Sequence, residues 1–209
     1  MTIRTRLTRN MVLTGAAAAL VIGVSAGTAL AVNATWTVSP GGTFSFSGSA
    51  QVKDTKTGTV AKCTSVKMAG TLKKGSGLAG AAIGTISTGS FSGCNVGGIG
   101  VNVAVKGLPW KLNATSFKSG VTTGTISGIE LVATNPLCNA TLDGTAAGKH
   151  NGVTKVTYTN STGKLALLGP GGNLHSYNVS GCAGLIANND PQQSSGSGAV
   201  SPKQTITSP

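Results

Sequence analysis

Apolar and polar residues alternate along several short stretches of this chain of 209 residues. In residues 43–47 both phenylalanines fall on one face, and in residues 99–106 four apolar side chains alternate with small or polar ones. A period of two predicts half-buried β-strands, because successive side chains of a strand point to opposite faces. The pattern recurs in residues 110–114, 156–159 and 176–180. No stretch has the spacing of three and four residues that is typical of an amphipathic helix.

Turn signals separate these stretches. Residues 149–152 (Lys-His-Asn-Gly) and 169–172 (Gly-Pro-Gly-Gly) are of the types that turns favour. Many short strands joined by close turns predict an all-β fold, which is either an antiparallel β-sandwich or a β-barrel.

A faint internal repeat suggests two similar β-units, over about residues 32–110 and 111–186. The sequence that begins at Cys63 resembles the one that begins at Cys138, and both segments close on Ser-Gly-Cys, at Cys94 and Cys182. Four cysteines in an exported chain are expected to be oxidised. Of the three possible pairings, the repeat favours Cys63–Cys94 and Cys138–Cys182. Loop-closure entropy makes each bond worth about 3.5–4 kcal/mol before strain is subtracted.

The beginning of the chain predicts export. Arg4, Arg6 and Arg9 precede an apolar stretch over residues 11–27, and Ala29-Leu30-Ala31 fits the cleavage site of a secretory signal peptide. Residues 1–31 are therefore the predicted signal peptide, and an uncleaved membrane anchor is the alternative. No later apolar run is long enough to span a membrane. We expect a secreted, extracellular protein that can associate with the cell wall.

The mature chain that follows holds a predicted β-rich domain and a polar C-terminal part. The domain covers residues 32–186. Residues 187–198 are rich in Asn, Gln, Ser and Gly, which predicts a flexible loop. Residues 199–209 regain alternation at Thr205-Ile206-Thr207 and are expected to form a last edge strand or a tail.

Removal of the signal peptide leaves an unusual set of charges. The mature chain has 13 lysines, no arginine and four acidic residues, hence a net charge of +9. Six lysines fall within 22 residues and form a candidate polyanion-binding patch. They are Lys53, Lys56, Lys62, Lys67, Lys73 and Lys74. Such a patch would attract an anionic cell-wall polymer or envelope surface. Nucleic acid is disfavoured, because arginines and interleaved aromatic residues are missing. The alternative is a solvated face that keeps edge strands from pairing with other chains.

The chain offers little for catalysis. Glu130 and Asp143 are the acidic residues that a glycosidase pair would need, although a turn between them is the simpler role. His150 and His175 are predicted surface or loop residues, and no Gly-x-Ser-x-Gly motif marks a nucleophile. No Cys-x-x-Cys pair is present, which disfavours zinc. We expect no enzyme activity, metal or cofactor; a secreted hydrolase or hydrolase inhibitor is the alternative.

Three features resemble small exported proteins of actinobacteria. They are the segment Ala-Thr-Trp-Thr-Val-Ser-Pro-Gly-Gly from Ala34, the paired cysteines, and the closing Val-Ser-Pro-Lys-Gln-Thr-Ile-Thr from Val200. The resemblance implies a secreted β-rich protein and carries no catalytic residue to this chain. The expected function is binding or structural, at the cell envelope.

Overall fold

The computed structural model describes residues 35–209, and the predicted signal peptide lies outside the described residues. Residues 35–209 belong to one compact unit. Their strands, in chain order, are β1 (Trp36–Ser39), β2 (Gly42–Asp54), β3 (Val60–Leu72), β4 (Gly75–Leu78), β5 (Gly84–Val96), β6 (Ile99–Lys106), β7 (Trp110–Lys118), β8 (Val121–Thr134), β9 (Cys138–Asp143), β10 (Gly152–Thr159), β11 (Lys164–Leu168), β12 (His175–Gly181), β13 (Gln192–Ser201) and β14 (Thr205–Thr207). A short 3-10 helix spans Cys182–Gly184. Among these residues no helix is long and apolar enough to cross a membrane.

Eight strands form a closed ring. The ring runs β10-β11-β13-β2-β3-β5-β7-β8 and closes by the pairing of β8 with β10. Every pairing in it is antiparallel. The predicted all-β antiparallel fold is confirmed. The alternation pattern left a sandwich and a barrel open, and these eight strands close on themselves as the strands of a barrel do.

Two long ring strands, β5 and β8, also pair with strands outside the ring. The ends of both pair with β6; β8 also pairs with β9, and β9 pairs with β12. A separate three-stranded sheet, in the order β14-β1-β4, packs on the ring through Trp36, Val38 and Ile206. The two predicted repeat units share one sheet, because β5 and β6 from the first pair with β7 and β8 from the second.

The main core consists of the inward-facing residues of the ring and the small sheet. Trp36, Ile86, Trp110 and Ile126 are each 2% exposed. Glycine makes room for one of the bulky side chains: a Cβ atom at Gly198 would lie 2.6 Å from ring atoms of Phe46. The alternation seen in the sequence therefore places the large side chains inside the ring, while serine and threonine cover its outside.

Both predicted disulfides are confirmed. Cys63 and Cys94 lie directly opposite each other on β3 and β5. Cys138 at the start of β9 is joined to Cys182, which follows β12. The first bond joins two neighbouring strands of the sheet, and the second joins the 3-10 helix to β9.

The prediction of a flexible loop over residues 187–198 is wrong for residues 192–198. These residues belong to β13, which pairs with β2 on one side and β11 on the other. Its small polar side chains fit between two neighbours, and the buried Ser194 hydroxyl is hydrogen-bonded to Thr154. Thr205–Thr207 form β14 at the edge of the three-stranded sheet.

Candidate functional site

All four acidic residues are buried. The exposed fraction is 0% for Asp54 and Asp143, 2% for Asp190 and 7% for Glu130. A buried carboxylate is costly unless hydrogen-bond donors or cations surround it. The groups around each carboxylate therefore have to account for its burial.

Asp143 organises the turn that follows β9. Its Oδ1 accepts backbone N–H groups from Gly144, Asn151 and Gly152, at 2.6, 3.0 and 3.1 Å. Its Oδ2 accepts those of Lys149 and His150, at 3.1 and 3.0 Å. Five donors use the full acceptor capacity of a carboxylate, which has about four lone-pair sites. The role of Asp143 is to hold this turn.

Glu130, Asp143 and His150 lie close enough to suggest a metal centre. One ligand atom from each lies within 4.8 Å of the others. The lone pairs of Asp143 are already taken by the turn, however, and His150 Nδ1 lies against Glu130 Oε2. The cluster is better explained by the contact of His150 with the buried Glu130 carboxylate than by a metal site.

Asp54 and Asp190 form a second network, which joins two loops. Asp54 Oδ1 accepts the backbone N–H groups of Lys56 and Thr57, and its Oδ2 accepts Nε2 of Gln192 at 2.9 Å. Lys56 Nζ lies 2.8 Å from Asp190 Oδ1. That lysine holds the pKa of Asp190 below its ordinary value, while burial opposes the shift. The network fixes the β2–β3 turn against the segment that precedes β13.

The six predicted patch lysines are exposed but do not converge. Lys53, Lys62 and Lys67 project from the outer face of β2 and β3, and Lys56 lies in the turn between these strands. Lys73 and Lys74 follow the opposite end of β3. A strand of this length spans about 40 Å at about 3.3 Å per residue. The six side chains are therefore spread along a hairpin.

The charge of the whole surface is more distinctive than that of the hairpin. All 13 lysines of residues 35–209 are exposed, whereas every Asp and Glu in that range is buried. The outside of the described protein thus has many cationic side chains and no exposed acidic side chain. This separation was not predicted, because a count of charges along the sequence does not show which of them are buried.

Two cavities with mostly apolar linings lie among residues 35–209. A cavity of about 70 Å³ lies in the ring, with Phe44, Met68, Ile86 and Val156 among its lining residues. Tyr158 also borders it; burial raises the pKa of its phenol, although a hydrogen bond to the Gln204 carbonyl has the opposite effect.

The second cavity has a volume of about 100 Å³ and lies where β2, β3 and β5 face β6, β8 and β9. We call it the interlayer cavity. Apolar side chains dominate its lining, among them Val52, Phe91, Val103 and Leu131. Neither cavity was predicted, although the run of valines on β6 did indicate an apolar face there.

The sequence was also compared with known protein families. Residues 8–207 match the family described as "Alkane oxidation protein activator PraA/PraB-like". The chain belongs to this family. No curated protein and no solved structure matches it. The PraA/PraB-like match spans nearly the whole chain, and it does not test the actinobacterial resemblance, which stays a prediction.

The PraA/PraB-like description is that of an activator, which is compatible with a non-catalytic role. The two histidines have partners other than serine. His150 is in contact with Glu130, and His175 Nδ1 lies 2.9 Å from the carbonyl oxygen of Asn173.

Proposed function

We propose that this protein is an exported, non-catalytic accessory protein of alkane oxidation, which binds anionic polymer at the cell envelope through its lysine-covered surface. The family description supports the pathway. The observation that carries the binding mode is the separation of charge, with all 13 lysines exposed and all four acidic residues buried.

The type of charge defines the kind of partner. Lysine is a compact point charge that lacks the two-pronged geometry of arginine, so it recognises charge density more than shape. An exposed ion pair is screened over about 8 Å at physiological ionic strength. Only a polymer that offers many anions at once would be held by such a surface. An acidic cell-surface polysaccharide has that property.

Retention on an immobilised acidic polysaccharide, such as alginate, tests the proposal. We expect retention that falls as sodium chloride rises, with a neutral dextran matrix as the control. Two variants of equal charge probe the surface. One replaces the six hairpin lysines with Gln, and the other replaces Lys106, Lys111, Lys118, Lys149, Lys155 and Lys164. Because all twelve are exposed, both variants should elute at lower salt than the wild type, by similar amounts.

Two results would contradict the proposal. One is retention that salt does not change. The other is equal retention of the wild type and both variants. If the hairpin variant alone lost retention, a local patch would replace the whole surface as the binding site.

A further inference from the structure

We propose that the interlayer cavity is a binding site for a short, unfunctionalised hydrocarbon chain. Its lining is mostly apolar although Lys62 borders it, so it extends the proposed function and does not depend on polymer binding.

Its size suits a small apolar molecule. The volume of about 100 Å³ exceeds that of the cavity inside the ring. Apolar cavities of about 150 Å³ in other proteins stay dry and bind molecules such as benzene. A dry cavity loses dispersion contacts along its lining, and a ligand of matching shape restores them.

The donors of two polar side chains at one end of the cavity are already used. The Ser176 hydroxyl donates to the carbonyl oxygen of Ala187 at 2.6 Å. Gln192 Nε2 donates to Asp54 Oδ2 at 2.9 Å and also lies 3.3 Å from the Asp190 carbonyl oxygen. A hydroxyl group on a ligand would therefore find no free donor in these two side chains, and its transfer from water into a mostly apolar lining is costly. The cavity should favour an alkane over the corresponding alcohol, and so release a molecule once it has been oxidised.

One wall is kept open by two alanines. Ala133 on β8 and Ala140 on β9 lie directly opposite each other, and both line the cavity. A leucine at either position would occupy space that a ligand needs. Ala104 on the adjacent strand β6 is exposed, so leucine there adds the same atoms outside the cavity. This position supplies a matched control.

The experiment measures uptake of propane from the gas phase into solutions of the purified protein with both disulfides intact. We expect saturable uptake by the wild type and by Ala104→Leu. Ala133→Leu should bind propane about tenfold more weakly, a difference of about 1.4 kcal/mol. The wild type should bind 1-propanol at least about tenfold more weakly than propane, a ratio that direct competition measures.

Several outcomes would overturn the assignment. They are the absence of saturable uptake, equal binding by wild type and Ala133→Leu, and binding of 1-propanol as tight as that of propane. If Ala133→Leu fails to fold, Val103→Ala takes its place; it enlarges the cavity and should strengthen binding of n-butane, so an unchanged affinity would count against the site. Retention on alginate is measured in parallel. Cavity variants that keep it show that a failure of this site leaves the proposed surface function intact.

Discussion

Asp143 shows, at the scale of single residues, how this protein accommodates a buried carboxylate. Its oxygens accept five backbone N–H groups. Hydrogen bonds to a charged group are each worth about 1.5–3 kcal/mol, more than those between neutral groups. Asp54 does the same on a smaller scale in the β2–β3 turn. Both aspartates are here components of turns.

The lowered pKa of Asp190 leads to a testable prediction about stability at different pH values. The hydrogen bond from Lys56 is the largest cause of the lowered pKa. Below the ordinary value of 3.8 the unfolded chain takes up the proton more readily than the folded protein does. The contribution of this pair to stability is therefore fully present above that pH and is lost as pH falls through the lowered pKa.

We expect Lys56→Gln to lower the free energy of unfolding at neutral pH, and the difference from the wild type to vanish in acid. Urea unfolding at a series of pH values measures both quantities. Lys53→Gln is the control, since Lys53 is exposed on the same hairpin and forms no ion pair within residues 35–209. Parallel pH curves for wild type and Lys56→Gln would show that the pair contributes nothing.

At the scale of secondary structure, alternation of large side chains predicted strands well and alternation of small ones did not. Phe44 and Phe46 marked β2, and the valines of residues 99–106 marked β6. Residues 192–201 contain mostly Gln, Ser and Gly, so the composition suggested a loop. The segment is a strand because two neighbours satisfy its backbone groups, and those neighbours are distant in the sequence. The cavities escaped prediction for the same reason, since each is lined by residues from several strands.

A proline substitution tests the assignment of β13. Ser197→Pro removes a backbone donor at a position of β13 that pairs with both β2 and β11, and we expect a loss of about 1–3 kcal/mol in the free energy of unfolding. Ser197→Ala keeps the N–H group and should change stability by less than about 0.5 kcal/mol. Urea titrations of the two variants and the wild type compare these values. A proline variant as stable as the alanine variant would mean that the segment is a loop after all.

At the scale of the whole molecule, the described surface is positively charged because the acidic side chains are buried and the lysines are exposed. Lys56 is the lysine with an ion-pair partner within residues 35–209. Elsewhere lysines are neighbours of one another, and Lys53 and Lys62 are an example. Lys53 on β2 lies opposite Val60 on β3, and Lys62 is two residues after Val60. Such diagonal neighbours are about 7–8 Å apart, which is within the range of unscreened repulsion at low salt. The folded protein therefore carries a repulsive cost that the more extended unfolded chain largely escapes.

This repulsion leads to a prediction about the stability of the protein alone. Sodium chloride screens it, so the free energy of unfolding should rise as salt increases from low to physiological levels, where the screening length falls to about 8 Å. Surface ion pairs lose strength with salt, so the Lys56–Asp190 pair contributes a change of stability in the opposite direction. The variant that replaces the six hairpin lysines with Gln should show a shallower rise than the wild type. Thermal unfolding followed at several salt concentrations provides the measurement. A wild-type stability that falls with salt, or that follows the same slope as the Gln variant, would show that the lysines are too far apart to repel one another, and the surface would then act on a polyanion only as separate point charges.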